Sequence, residues 1–349
     1  MDSQSAWFER LAARGIVPDG VLRLGVRFAL RRRLRALNRG KPQERFHAMR
    51  GGPTAVATDA ANRQHYEVPT EFFRAILGPR LKYSSCLWPA GVETLADAED
   101  AMLELCAQRA DLADGQRVLD LGCGWGSLAL WAAQRYPRST ITAVTNSRTQ
   151  RDHIVVEAQA RGLGNLEVIH ANAAADDIPG RFDRIVSIEM LEHIRDHGAL
   201  LAKMAARLDA GGRIFVHVFS HVRHAYAFEP EDGWMARWFF SGGTMPSLDL
   251  FDESAPAVRT VDRWVVNGRH YARTLHAWLR NLDSRRPQIH ELFRGAYGND
   301  AASLWLMRWR LFFIACEELF AYRGGQEWVV AHHLLAPETV AKAHAQRHA

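Results

Sequence analysis

The chain has 349 residues, 48% hydrophobic and 24% charged, enough for a folded enzyme-sized core in one large α/β domain or two smaller ones. No apolar run approaches the roughly 18 residues a membrane span needs, and with Asp2, Glu9 and Arg10 near the start no signal peptide is expected; the expected location is the cytoplasm. Four cysteines without C-x-x-C spacing argue against a disulfide framework and a zinc site.

The net charge of +5 is local, since residues 23–50 hold ten Arg/Lys against the single acid Glu44. The first 55 residues read as helices broken at Pro18–Gly20 and Gly40–Pro42. In the second helix Val26, Leu30, Leu34 and Leu37 share one face, opposite Arg27, Arg31, Arg32, Arg35 and Arg39. Such a helix can pack on a larger domain with its basic face in water, or lie on an anionic membrane surface as a peripheral contact. Packing is favoured, because four apolar anchors are few for stable membrane binding. Nucleic acid is not expected, because no aromatic stacking cluster accompanies the arginines. Gly51, Gly52 and Pro53 then mark a link, making residues 1–60 an N-terminal helical extension to a main domain at 61–336. Two stretches dense in polar and aromatic groups follow, His65–Phe73 and Leu81–Cys86, both suited to covering a ligand.

After a helix over 95–110 the pattern alternates. Strands are expected at 117–121, 140–145, 166–170, 183–188 and 213–219, and helices at 125–136, 147–161 and 196–208. Repeated βα units imply a doubly wound, mostly parallel sheet with helices on both faces, which binds ligands beyond the carboxyl ends of its strands. Asp120, Thr145, Asn146, Asn172, Glu189, Glu192, His193 and His217 fall at or just past such ends. Residues 221–258 break the alternation with Tyr226, Phe228, Trp234, Trp238, Phe239 and Phe240, an aromatic insert placed to form a substrate pocket or lid. Strand 261–266, helices to about 320 and strand 327–334 complete the sheet, and 337–349 form a polar tail.

Val118–Gly126 is the most informative stretch. An apolar run ends in Asp120, then Gly122, Gly124 and Gly126 alternate before an apolar, alanine-rich helix opening at Ser127. Glycine permits the turn and lets a ligand approach the backbone at a helix start. The dinucleotide fingerprint is excluded: its third glycine comes three residues after the second, and an acid ends the next strand. Here the gap is two and the strand ends in Thr145 and Asn146. The loop instead resembles motif I of the class I S-adenosylmethionine (SAM) methyltransferases.

Taken with Tyr83-Ser84-Ser85-Cys86, Val144-Thr145-Asn146-Ser147, Glu189–His193 and Asn267-Gly268-Arg269-His270-Tyr271, the chain from about His65 to Leu335 resembles the cyclopropane fatty acid synthase family of SAM-dependent enzymes. That family includes mycolic acid methyltransferases and coclaurine-type N-methyltransferases. The resemblance implies that Tyr83 and Ser84 reach the methionine end of SAM, that Gly122 and Gly124 pass beneath it, and that Thr145, Asn146 and Gln150 contact the ribose side. Asn172 stands where many relatives carry an acid near adenine.

Two acceptors follow from the two branches. Lipid cyclopropanation uses a bound bicarbonate as base, and the positions matching that anion pocket are Cys86, Glu192, His217 and Tyr271. Amine methylation needs a base to strip the ammonium proton and a carboxylate to orient the nitrogen. Lipid-modifying relatives tend to carry glycine at the position of Glu189, whereas N-methyltransferases carry glutamate, and the runs at 232–235 and 242–247 also resemble that branch. The expectation is N-methylation of a small, aromatic or alkaloid-like amine, with Glu189 and Glu192 orienting it and His193 as base. The alternatives are modification of an unsaturated phospholipid acyl chain, which the basic N-terminal helix would suit, and a non-catalytic SAM-binding protein. No metal is required: His217, His221 and His224 lack the helical spacing of a ligand set, and alternation puts His332 and His333 on opposite strand faces. The sequence does not specify an oligomeric state.

Overall fold

The computed structural model describes residues 17–40, 68–228, 234–240 and 242–338. The expected link at 51–53 and most of the 337–349 tail lie outside them. Helix α1 (Asp19–Arg39) precedes α2 (Thr70–Ile76) and α3 (Leu95–Arg109). The alternating core follows as β1 (Arg117–Leu121), α4 (Ser127–Arg135), β2 (Thr140–Thr145), α5 (Arg148–Ala160), β3 (Leu166–His170), β4 (Phe182–Ile188), α6 (His197–Ala205) and β5 (Leu208–His221). The insert holds β6 (Tyr226–Ala227), α7 (Trp234–Trp238), β7 (Thr244–Met245) and α8 (Leu250–Ser254). Then come β8 (Val258–Val266), α9 (Gly268–Ser284), α10 (Arg286–Tyr297), α11 (Asn299–Ala321) and β9 (Trp328–Pro337).

The main sheet has seven strands in the order β3-β2-β1-β4-β5-β9-β8. β1 to β5 are parallel, and β9 runs antiparallel between β5 and β8. Strands covered on both faces are buried nearly throughout, as β1 and β2 are after their first residues. Strand order reverses where β1 meets β4, the switch point at which ligands bind such sheets. That adjacency brings the glycine loop after β1 beside the 189–193 turn after β4, nearly 70 residues on.

Side-chain caps set where the helices that supply the site begin. Ser147 accepts from the Gln150 N–H at 3.3 Å and starts α5, while Asn267 accepts from the Arg269 N–H at 2.9 Å and starts α9. The first fixes Gln150 and the second fixes Tyr271, each within a turn of its cap.

Helix α1 docks on α11. Leu22, Leu34 and Leu37 are buried, Arg23 and Arg27 pair with Glu318, and Arg310 pairs with Asp19 through two bonds of 2.6 and 2.7 Å. Two arginines of the basic segment are therefore held in intramolecular ion pairs. Among the described residues no helix is long and apolar enough to cross a membrane.

Candidate active site

The loop from β1 to α4 forms the floor of a cavity whose walls are polar at one end and aromatic at the other. Gly122, Gly124 and Gly126 have φ of +80°, +54° and +78°, left-handed values that a side chain resists. Two of them also lack room. A Cβ at 122 would overlap Met190, and one at 126 would stand 2.7 Å from Ile154 on α5. Nothing lies within 4 Å of a Cβ at Gly124, so this residue leaves the space open over the loop.

Glu189 is the centre of the adjoining wall. Its Oε1 accepts from the Ser85 N–H at 2.8 Å and lies 3.1 Å from His217 Nε2, while its Oε2 accepts from the Tyr271 hydroxyl at 2.5 Å. Three elements thus converge on one carboxylate: the 81–86 loop, β5 and α9. The residue sits at φ +47°, a conformation costing a non-glycine residue about 1–2 kcal/mol, held here by its N–H donating to His217 O at 2.8 Å. Burial pushes the Glu189 carboxyl up, and the nearby Lys82 ammonium, the Ser85 N–H, the Tyr271 hydroxyl and His193 each pull it back. Such a group has its ionised form restored by a cation bound beside it.

Lys82 is fully buried behind the wall, its Nζ donating to Ser84 Oγ and Ser85 O at 2.6 Å each. It tethers the loop that offers Ser85 to Glu189. The sequence places Lys82 in the Leu81–Cys86 stretch but gives it no role, because nothing in the pattern shows that this lysine points inward.

The remaining walls are aromatic and apolar. The insert contributes Phe228, Met235, Phe240 and Met245, and α9 and α11 contribute Leu275, Trp278, Phe312, Cys316, Leu319 and Phe320. Tyr271 stacks on Phe320 with ring centroids 4.4 Å apart, and Tyr83 lies against Trp278 at 5.5 Å.

Of the residues expected at the site, Tyr83, Ser84, Asp120, Gly122, Gly124, Gln150, Glu189, His193 and Tyr271 line this cavity. The others stand behind it. Thr145 is buried, and its hydroxyl donates to Gln150 Oε1 at 2.7 Å, so it holds the glutamine. Gly126 begins α4. Asn146 and Asn172 are half-buried off the wall, and Asn172 Oδ1 caps a turn by accepting from the Ala174 N–H at 3.0 Å. Cys86 is buried with its thiol against Ser84 O at 3.7 Å, and burial pushes that thiol up to about 12, which leaves it no acid–base role near neutrality.

Glu192 is 1% exposed and accepts from the Phe219 N–H at 2.9 Å. Burial, and then the charge of Glu189, push it well above the usual carboxylate range. It braces β5 and is displaced from the wall because the 3₁₀ turn Leu191–His193 sends His193 into the cavity and Glu192 inward. His217 is fully buried behind Glu189.

A family model described as mycolic acid cyclopropane synthetase matches residues 55–328. The chain belongs to this family. It is a SAM-dependent methyltransferase. An (S)-coclaurine N-methyltransferase of Thalictrum flavum subsp. glaucum is 36% identical over 334 residues, 92% of each chain. The crystal structure of coclaurine N-methyltransferase with N-methylheliamine and SAH superposes with a TM-score of 0.91 at 33% identity, over 96% of this chain and 100% of that one. The cyclopropane-fatty-acyl-phospholipid synthase of Escherichia coli (strain K12) is 27% identical over 77% of this chain and 66% of its own length.

The methyltransferase's cavity fits SAM. Asp120 Oδ2 and Gln150 Nε2 are buried without a partner among the described residues, on the wall beside the glycine loop. They offer an acceptor for a cationic or hydroxyl group and two donors. Burial raises Asp120 to about 7, and a bound cation would return it to its charged form. Saturating SAM is therefore expected to raise the Tm by several degrees, since ligand at 100 times its Kd adds about 2.7 kcal/mol; a thermal melt with and without SAM checks this.

Proposed function

We propose that this methyltransferase transfers the methyl group to the nitrogen of a small aromatic amine, with Glu189 as the counter-charge of that nitrogen and His193 as the base. The observation that carries the reading is the Glu189 carboxylate, aimed into an aromatic cavity by three hydrogen bonds. SAM supplies a methyl group already activated on a sulfonium. The protein must then present an unprotonated nucleophile, align it and exclude water. His193 is on the wall to receive the ammonium proton, and imidazole is the side chain that most often carries such a transfer. Methylation turns the neutral amine into a cation. A carboxylate oriented before the reaction stabilises that developing charge most strongly in a site walled off from water, and the rings of Phe228, Phe240, Phe312 and Phe320 favour a cation near their faces.

The same geometry weighs against the lipid reading. His217 and Tyr271, two members of the anion pocket that the resemblance assigns to bicarbonate, are already within hydrogen-bond distance of Glu189. A resident carboxylate takes the place of a diffusible one. It is also a poor neighbour for an acyl chain, because burying a charge against hydrocarbon is costly.

A competition assay tests the choice. Methyl-labelled SAM is offered together with heliamine, the unmethylated form of the ligand in the coclaurine N-methyltransferase crystal, and vesicles of unsaturated phospholipid. Label is expected in the amine; label in the lipid fraction would overturn the reading.

A further inference from the structure

Behind Glu189 runs a buried polar line that its catalytic role does not by itself require. His217 Nδ1 lies 2.9 Å from His332 Nε2, and His332 Nδ1 lies 2.8 Å from Arg109 Nη1. Both imidazoles are fully buried and are cross-strand partners on β5 and β9, their rings 4.7 Å apart. Arg109, the last residue of α3, stacks over Trp264 at 5.0 Å. Trp264 is in turn the β8 partner of His332. The four groups belong to α3, β5, β9 and the turn after β4.

The direction of every hydrogen bond follows from its outer end. A guanidinium only donates, so His332 Nδ1 accepts and the ring's single proton is on Nε2. That proton is donated to His217 Nδ1, which puts the His217 proton on Nε2, facing Glu189 Oε1. Each ring is thereby fixed in one neutral tautomer, and burial together with the Arg109 and Lys82 charges disfavours a second proton on either. Were His217 in the other tautomer, its Nε2 lone pair would face the carboxylate, an acceptor against an acceptor.

Cys106 Sγ is 3.6 Å from His217 Nδ1, and with His332 these donor atoms lie within 4.8 Å of one another, close enough to resemble three metal ligands. The arginine decides against that use. With Nδ1 accepting from Arg109, His332 Nε2 carries a proton and has no lone pair for a metal, and burial keeps Cys106 a thiol up to about 12.

We propose that Arg109, His332 and His217 are positioning residues for methyl transfer: a one-way hydrogen-bond relay that fixes His217 as a donor to Glu189 and so holds the carboxylate toward the amine. The inference rests on the role given to Glu189 above. Arg109 touches neither the cavity nor a ligand, and its effect reaches the reaction through two imidazoles.

Two measurements test it together. Long-range ¹⁵N–¹H correlation spectra of histidine-labelled enzyme report which ring nitrogen carries the proton; His217 and His332 are both expected as the Nε2–H tautomer in the wild type. In parallel, Arg109→Met, which keeps the stem on Trp264 but removes the donor, is expected to lower kcat by about 10–100-fold, the usual worth of a group orienting a functional side chain. KM for heliamine and the Kd of SAM are expected to stay near wild type, and Arg109→Lys, still a pure donor, to recover most of the lost kcat. A wild-type His217 or His332 protonated on Nδ1, or an Arg109→Met enzyme with undiminished kcat, overturns the relay alone. A Glu189→Gln enzyme with full turnover removes the reading beneath it, and the relay's role with it.

Discussion

Glu189→Gly is expected to lower kcat for amine methylation by about 10²–10³-fold, the worth of one preorganised group facing a developing charge, while SAM affinity stays close to wild type. Glycine accepts φ +47° without cost, so the variant also releases the strain glutamate carries there. Against that gain, the Ser85 N–H, His217 Nε2–H and Tyr271 O–H lose their acceptor, at about 1–3 kcal/mol for each buried group left unpaired. The hole that remains is lined by three converging donors, close to the buried Lys82 ammonium, and has the size of a small carboxylate. Formate or bicarbonate at millimolar concentration is therefore expected to restore part of the lost turnover. Glu189→Gln fills the same space with a neutral amide and is expected to stay inactive whatever anion is added. Steady-state kinetics of both variants with and without formate decide the matter. Undiminished turnover in Glu189→Gly would remove the carboxylate from the mechanism, and equal rescue of both variants would show the anion acting elsewhere.

This experiment also bears on the relation between the two branches of the family. In the branch that uses a bound anion, the resemblance assigns the pocket to the positions of Cys86, Glu192, His217 and Tyr271. Here two of those groups are turned on a side chain that the protein itself carries. The difference between a diffusible base and a built-in counter-charge then comes down to what stands at 189, at a backbone position that glycine occupies more easily than glutamate.

The parts of this arrangement differ in how far the sequence betrayed them, for physical reasons. The strands and helices from 95 to 221 were legible because a doubly wound sheet imposes apolar runs, glycine turns and side-chain caps on each unit separately; Thr94, Ser147 and Asp196 cap the helices that follow them. The glycine loop was legible because its backbone geometry admits almost nothing else at 122 and 126. The strand pattern put Glu189 just past a strand end, but only the family resemblance singled it out there, since no local pattern marks a glutamate in a left-handed conformation. Glu192 was expected beside the amine and lies behind the wall, because sequence spacing does not tell which way a three-residue 3₁₀ turn faces. His332 read as an ordinary strand residue. Alternation gives a side chain its face but not its neighbour, and its partner His217 is 115 residues away, joined to it only because β9 returns antiparallel beside β5. Cys106 and Arg109 were missed for the same reason.

His193 carries the other large effect. The wild-type kcat/KM is expected to rise with pH, because only the unprotonated ring can take the ammonium proton; activity falls as pH drops and the ring is protonated. In His193→Ala that route is closed, and only amine that arrives already deprotonated can react. Aliphatic amines titrate near the lysine value of about 10.4, so at pH 7 a small fraction is free, and loss of a general base costs about 10²–10⁴-fold. The deficit is expected to shrink by roughly tenfold per pH unit as the free amine grows, and to approach wild type near the amine's own pKa. The imidazole limb should vanish from the profile of the variant. A constant deficit across pH 6–10 would assign His193 to orienting the acceptor instead of deprotonating it, and an unchanged profile would leave Glu189 as the base. The two variants separate the roles cleanly: an anion added to solution restores a counter-charge at Glu189→Gly, and alkaline pH restores a free amine at His193→Ala, but neither treatment repairs the other loss.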